Sequence, residues 1–592
     1  MGDACGRVCA IRWRALDALR ALAIELGGVM EAAVERDALP EAHSEEWVRE
    51  RLGKYLLPEY ANLCHVALEE RLLYAPKRLH ISSGSFIESA ARVCGLKVKY
   101  CEPEELLTLR GIGRAVSARV MTPKGRETDA RGFAQRILQS AASYQASDIH
   151  LHRTTEDRYA TIEFSVDDRV YVVDDSVTHV EMDALMGAYI QGLASAGGTR
   201  LVDGDMQHAV IGSDRLKFSE GIESVRVARG PCYPKSGGGK FMTLRLQYKE
   251  GPARGNAIDH LGMRLRLPPK PVGGLGFAAL GYFPDQREVI EEALQLDTGI
   301  IVMAGPTGSG KSTALWEMLV ALRKRWPYRR VVTAENPPER EVPGAVQLEI
   351  GGDEVDVAAQ SKAFGEALRM MLRMAPNVIL VGEIREGPIG RLAIEISNSG
   401  HLVMTTIHAN NAAMIVPRLE TTRGFELSRA AYCTPDVLRL LVAQRLTPRV
   451  CPACSVTYEE AKARPGVRHV MKALQSYSED LSKVRFEGPG CDLCSDKGTA
   501  GKIAVAEVIP VTEEISDKLR GGVDDDAQLK ELMGAAAGGF MRHRAVALAL
   551  RGVTDPFAMQ TKVGGLTECR SDAEKKWVTD SLGYIDSGAL PL

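Results

Sequence analysis

Gly299-Ile300-Ile301-Val302-Met303-Ala304-Gly305-Pro306-Thr307-Gly308-Ser309-Gly310-Lys311-Ser312-Thr313 is the stretch that decides the fold. Its first six residues form an apolar run of strand length, the pattern of a strand buried on both faces. Residues 305–312 satisfy the Walker A spacing, Gly-x-x-x-x-Gly-Lys-Ser. Leu315, Leu319 and Leu322 follow at helical spacing. Strand, glycine loop and helix in that order make a phosphate cradle. The glycines let backbone N–H groups turn toward phosphate oxygens, and the helix adds the positive end of its dipole. The expected nucleotide-binding residues are therefore Gly305, Pro306, Thr307, Gly308, Ser309, Gly310, Lys311, Ser312 and Thr313. Lys311 would meet the β- and γ-phosphates of ATP, and Ser312 would ligate magnesium. A glycine turn without a ligand is the plain alternative, and both flanks argue against it.

Three further strand-like runs deliver polar residues at their carboxyl ends. Val331-Val332-Thr333 leads to Glu335 and Glu339, Val378-Ile379-Leu380-Val381 to Glu383, and Leu402-Val403-Met404-Thr405-Thr406 to His408. Ligands of open α/β sheets bind outside the carboxyl ends of the strands, so four such ends are expected to surround one phosphate site. Phosphoryl transfer needs metal ligation and a group that orients the attacking water. Glu383 suits the metal or its water shell, and Glu335 or Glu339 would polarise the water. Each of these glutamates alone reads as a surface carboxylate; their shared position beyond Lys311 is what makes them candidates.

These residues resemble the type II secretion and type IV pilus assembly ATPases, over roughly Ala142 to Gly564. The family's Asp box corresponds to Glu335-Asn336-Pro337-Pro338-Glu339, with Asn336 in place of Asp. By that resemblance Glu339 is the general base and Glu335 lies beside the metal. The Walker B element corresponds to Asn377 through Arg385, with Asn377 in place of the leading Asp and Glu383 retained. The His box corresponds to Ser399 through His408, which implies that His401 and His408 sense the γ-phosphate. Ala146-Ser147-Asp148-Ile149-His150-Leu151-His152 resembles the opening of the family's second N-terminal domain. Arg226 and Arg245 match the arginines that approach the γ-phosphate when the domains close. The implied fold is α/β. A RecA-like P-loop ATPase domain (263–446) follows a helical N-terminal partner-binding domain (1–130) and a PAS-like α+β domain (131–262). A tetracysteine zinc subdomain (447–510) and a helical C-terminal subdomain (511–592) complete it.

Cys451-Pro452-Ala453-Cys454 and Cys491-Asp492-Leu493-Cys494 form two Cys-x-x-Cys knuckles. Four thiolates so paired suit tetrahedral zinc. A redox dithiol pair is the competing reading. The segment between the knuckles reads as having little apolar periodicity of its own, so the metal is expected to fold it. The eight other cysteines show no ligand spacing and read as buried thiols.

At 592 residues the chain exceeds one core, and several domains are expected. It is 45% hydrophobic and 26% charged with a net charge of −3, which argues against coating nucleic acid by bulk electrostatics. No apolar run reaches the ~18–20 residues of a membrane span. Leu16–Gly27 is interrupted by Arg20 and Glu25 and is not expected to act as a secretory signal. A cytoplasmic location is expected, peripheral to the inner membrane by the resemblance. The resemblance further implies a homo-hexamer docked on an inner-membrane platform protein and adding pilin subunits or driving secretion, with ATP, Mg2+ and Zn2+ as cofactors. Motors for pilus retraction or conjugative DNA transfer are rivals, but they generally lack the cysteine quartet. A nucleotide-binding scaffold without sustained turnover draws on Asn336 and Asn377, against intact Lys311, Glu339 and Glu383.

Overall fold

The computed structural model describes residues 65–67, 72–76, 91, 96–101, 129–154, 159–197, 204–215, 221–249, 263–351, 357–521 and 526–590. The chain divides into two compact units, Met1–Met121 and Thr122–Leu592.

The described part of the first unit is mainly strand, where a mostly helical segment was expected. Strands β1 (His65–Ala67), β2 (Leu72–Pro76) and β3 (Lys97–Cys101) form one sheet in that order, β1 antiparallel and β3 parallel to β2. The reason lies in a local period. Lys97 and Lys99 are exposed while Val98 and Tyr100 turn partly inward, an alternation that only a strand satisfies. The rest of the expected helical segment lies outside the described residues.

The second unit begins with helix α1 (Ala130–Ser143), started by the Asp129 side chain, which accepts from the Gly132 N–H at 2.9 Å. Seven strands follow: β4 (Asp148–Arg153), β5 (Tyr159–Val166), β6 (Arg169–Thr178), β7 (Ala196–Gly197), β8 (Gln207–Gly212), β9 (Ile222–Pro231) and β10 (Lys240–Tyr248). They form an antiparallel sheet in the order β6-β5-β4-β10-β9-β8-β7. Its apolar face, with Ile149, Leu151, Phe164, Met242 and Leu244, packs on α1 and on helix α2 (His179–Gly187). Its other face carries Asp148, His150, Glu163, Ser165, Thr243 and Arg245 by strand alternation.

The remaining strands are β11 (Gly299–Ala304), β12 (Val331–Glu335), β13 (Val346–Glu349), β14 (Val378–Val381), β15 (Leu402–Ile407), β16 (Leu438–Val450) and β17 (Thr499–Pro510). Their order is β13-β12-β14-β15-β11-β16-β17, and every pairing is parallel except the last. Helices α3 (Pro284–Gln295), α4 (Lys311–Arg325), α5 (Val357–Met371) and α6 (Gly387–Asn398) accompany the sheet. Both faces are covered: Ile300 and Val302 join one core cluster while Ile301 and Met303 join another. That double burial explains the unbroken apolar run of β11. Deleting such a side chain, as in Ile301→Ala, costs ~2–5 kcal/mol.

The cysteine segment is an excursion between β16 and β17, which are antiparallel neighbours in this sheet. Contrary to the expectation that it lacks apolar periodicity, it contains helix α7 (Val467–Gln475). Val467, Val470, Met471 and Leu474 of α7 are buried at helical spacing and belong to the main core cluster. Packing therefore shares with the cysteines the task of holding the excursion. The described residues after β17 include helices α8 (Glu513–Arg520), α9 (Asp526–Ala536), α10 (Met541–Leu550) and α11 (Asp572–Asp586).

Candidate active site

Strand β11 delivers the chain to the cradle, and two glycines there have no substitute. Gly305 (φ +155°) would place a Cβ 2.4 Å from Ser309 Oγ and 2.6 Å from the Gln444 carbonyl. Gly310, at φ +82°, would place one 2.8 Å from Gln444 Nε2. Gln444 on β16 lies directly beneath the loop, and its Nε2 donates to the Ser309 carbonyl at 2.6 Å. Lys311 opens α4 and folds back into the loop, donating to the carbonyls of Gly305 (2.8 Å) and Pro306 (3.1 Å). Burial lowers the Lys311 pKa, opposed by the charges of Glu383 and Glu339. Those two carboxylates therefore favour the ammonium form that phosphate binding requires.

The carboxyl ends of β12, β14 and β15 converge beside the loop. A cavity of about 590 Å³ is lined by residues 307–313 together with Glu335, Glu339, Glu383, Arg385 and His408. Gly305 and Pro306 belong to the same loop through their carbonyl contacts with Lys311. Glu383 sits between two bases, with Arg385 Nε 2.7 Å from one oxygen and His408 Nε2 2.6 Å from the other, the latter approach not aligned as a hydrogen bond. His408 Nδ1 lies 3.2 Å from the Gly305 carbonyl, tying the end of β15 to the cradle. Glu335 accepts from Thr333 Oγ1 at 2.6 Å and Gln347 Nε2 at 3.0 Å. Burial raises its pKa, those two hydrogen bonds counter the rise, and the Glu339 charge adds to it. The Ser312 hydroxyl and the Glu335 and Glu383 carboxylates are hard oxygen donors on one cavity, a set that fits magnesium beside a bound phosphate.

Three residues expected at the site are elsewhere in this conformation. Arg226 and Arg245 face each other across β9 and β10, exposed, and Arg245 Nε pairs with Asp148 Oδ1 at 2.9 Å. Neither lines the cavity. His401 precedes β15 whereas His408 follows it, and a strand of that length separates them by roughly 20 Å. His401 contacts Ser399 Oγ and the Ile396 carbonyl, and burial lowers its pKa, with Arg245 lowering it further. Conversely, the motif reading missed Arg385, Gln444 and Gln347. The signal for the last was a single glutamine within the apolar run Val346-Gln347-Leu348.

The four knuckle thiols form a second centre. Cys451, Cys454, Cys491 and Cys494 place their Sγ atoms within 4.8 Å of one another. The resolved approaches are 3.7 Å for Cys451–Cys491 and 3.8 Å for both Cys454–Cys494 and Cys491–Cys494. A tetrahedron with Zn–S bonds of ~2.3 Å has edges of about 3.8 Å, so the donor set fits zinc in type and spacing. The N–H groups of Cys491 and Gly498 each donate to Cys494 Sγ at 3.2 Å, as ligating thiolates accept them.

A parallel sheet with a glycine cradle, a half-buried lysine and acidic strand ends defines a P-loop nucleotide-binding protein. The chain belongs to the Type II/IV secretion system protein family, whose model matches residues 240–564. Among its relatives, the type IV pilus assembly ATPase PilB of Acinetobacter baylyi is 32% identical over 285 residues, 47% of this chain and 45% of that protein. PilB of Thermus thermophilus is 28% identical over 429 residues, 72% of this chain and 42% of that protein. The type II secretion system protein E of Pseudomonas aeruginosa is 31% identical over 268 residues, 45% of this chain and 49% of that protein. The chain thus spans about half the length, or less, of these curated relatives.

Proposed function

We propose that the protein is an ATP-hydrolysing motor that powers type IV pilus assembly or type II secretion. The observation that carries this reading is the convergence of Lys311, Ser312, Glu335, Glu339, Glu383 and His408 on one cavity at the strand ends. In it Lys311 and the loop N–H groups hold the phosphates, Glu339 takes the proton of the attacking water, and Glu335 and Glu383 orient the metal-facing side. Magnesium, when bound, neutralises developing phosphate charge. Zinc held by Cys451, Cys454, Cys491 and Cys494 keeps the excursion beside β16 and β17 in one shape. Arg226 and Arg245 come to the γ-phosphate of the closed state, and His401 responds to that closure. The motor works as a homo-hexamer on the cytoplasmic face of the inner membrane, docked on a platform protein. Among the described residues no helix is long and apolar enough to cross a membrane, which agrees with attachment through partners.

Magnesium-dependent ATP hydrolysis by the purified chain tests the reading. Lys311→Ala is expected to abolish turnover. Glu339→Gln is expected to keep nucleotide affinity while slowing hydrolysis by about 10²–10⁴. Lys311→Ala turning over within about threefold of wild type overturns the assignment.

A further inference from the structure

One side chain near the acidic wall of the cavity is neutral and has all of its polar atoms engaged. Gln347 sits on edge strand β13 and is 3% exposed. Its Oε1 accepts from the Val342 N–H at 2.7 Å. Its Nε2 donates to Glu335 Oε1 at 3.0 Å and to the Arg340 carbonyl at 2.9 Å. Both amide hydrogens and the amide oxygen are therefore used, and the orientation of the group is set by its partners. One amide thus grips the Glu335 carboxylate and the turn at Arg340–Val342, directly after Glu339.

The backbone of the same residue is held from the antiparallel sheet. The Tyr233 N–H donates to the Gln347 carbonyl at 2.7 Å. Tyr233 lies in the β9–β10 turn, which closes through Cys232 N–H to the Gly239 carbonyl (3.0 Å) and Gly239 N–H to the Pro234 carbonyl (3.2 Å). The turn is tight as well as bonded: a Cβ at Gly239 would lie 2.6 Å from the Cys232 carbonyl. A stiff turn of one sheet thus holds the strand that holds the acidic residues of the other.

We propose that Gln347 is a positioning residue for hydrolysis: its amide sets Glu335 and the turn after Glu339, while Tyr233 of the antiparallel domain holds its backbone in register. This rests on the ATPase reading and deepens it, because the seating of one domain then bears on the acidic wall of the other. Glutamate at this position would turn a donor toward Glu335 into a like charge, and methionine would keep the length without the donor.

The test uses the full chain, single-turnover ATP hydrolysis, and equilibrium binding of a fluorescent ATP analogue with Mg2+. Gln347→Met and Gln347→Glu are expected to hydrolyse about 10- to 100-fold more slowly, the scale of a misplaced catalytic group, with nucleotide affinity within about twofold. The decisive readout is the double variant. Added to Glu335→Gln, Gln347→Met is expected to cost several-fold less than it costs alone, because only the turn after Glu339 is then left for it to position. Single variants within about threefold of wild type, or a full multiplicative loss in the double variant, overturn the proposal. Failure of both single variants to fold overturns it in favour of a fold-supporting role. If Lys311→Ala and Glu339→Gln also hydrolyse normally, the underlying ATPase reading falls; if they are inactive, only the role of Gln347 does.

Discussion

The two seven-stranded sheets of the larger unit use polar residues in opposite ways. In the parallel sheet every strand from β11 to β16 points the same way, so the polar residues that follow the strands meet at one edge, and that edge is the cavity. In the antiparallel sheet successive strands reverse, so their ends are divided between two edges and no end collects chemistry. Its polar residues instead occupy a face, from Asp148 and His150 on β4 to Thr243 and Arg245 on β10. That face is turned toward the other sheet's domain, where Arg330, just before β12, pairs with Glu163 of β5 at 3.2 Å. Both side chains are largely buried, and breaking such a pair leaves an uncompensated charge. An edge makes a site; a face makes a contact.

If the antiparallel face contributes to chemistry as well as to contact, Arg245 and Arg226 are the residues to show it. Arg245→Ala is expected to lower single-turnover hydrolysis by about 10³ or more, the lower end for an arginine that meets transition-state charge. Nucleotide affinity should change little, since the arginine does not line the cavity. Near wild-type hydrolysis by both Arg245→Ala and Arg226→Ala would reduce the face to contact alone and sharpen the contrast between the sheets.

The edge of the parallel sheet was far more legible in sequence than the face of the antiparallel one. A phosphate cradle is contiguous, and its glycines are required by close approaches such as that of Gly305 to Gln444. The acidic residues that line it follow apolar strands, so their convergence comes from topology alone. The cysteine quartet was legible for the same reason, since each knuckle is local. Gln347 was not legible, because its three partners lie on different turns and only the fold brings them together. His401 shows the converse: it shares a motif with His408, yet the strand between them carries the two to opposite ends of the sheet. The strand at Lys97–Cys101 and the amphipathic helix α7 each carry a local period that a search for motifs does not register.

The cysteine centre is a control on the comparison, being attached to the parallel sheet between β16 and β17 without lining the cavity. Zinc is expected at about one ion per chain, and Cys454→Ser should lower that content while nucleotide affinity stays within about twofold. Because Val467, Val470 and Leu474 of α7 are anchored in the main core, the variant should loosen the excursion rather than unfold the sheet. Protease cleavage between the two knuckles, mapped by mass spectrometry with and without a chelator, reads this directly. Loss of nucleotide binding in Cys454→Ser would mean that the excursion supports the cradle.

The smallest expected effect concerns the antiparallel face itself. His150 is fully buried, with Nε2 2.8 Å from Ser165 Oγ and Nδ1 3.3 Å from Thr243 Oγ1. Desolvation, then the charges of Arg330 and Arg245, hold its pKa well below the ordinary value, so the folded protein keeps it neutral. The unfolded chain takes up a proton as pH falls through about 6.5 while the folded one does not, so stability is full above that pH and declines below it. At pH 5.5 one such histidine costs about 1.4 kcal/mol, or ~3–6 °C for a domain of about 150–250 residues. Other groups acidify alike in wild type and variant, so the comparison isolates this one. Between pH 7.5 and 5.5 the thermal midpoint of His150→Asn should fall less than that of wild type by about that amount. The hydroxyls of Ser165 and Thr243 remain for the asparagine to meet, which limits the loss at neutral pH. Equal acid slopes would mean that the folded protein also takes up a proton at His150.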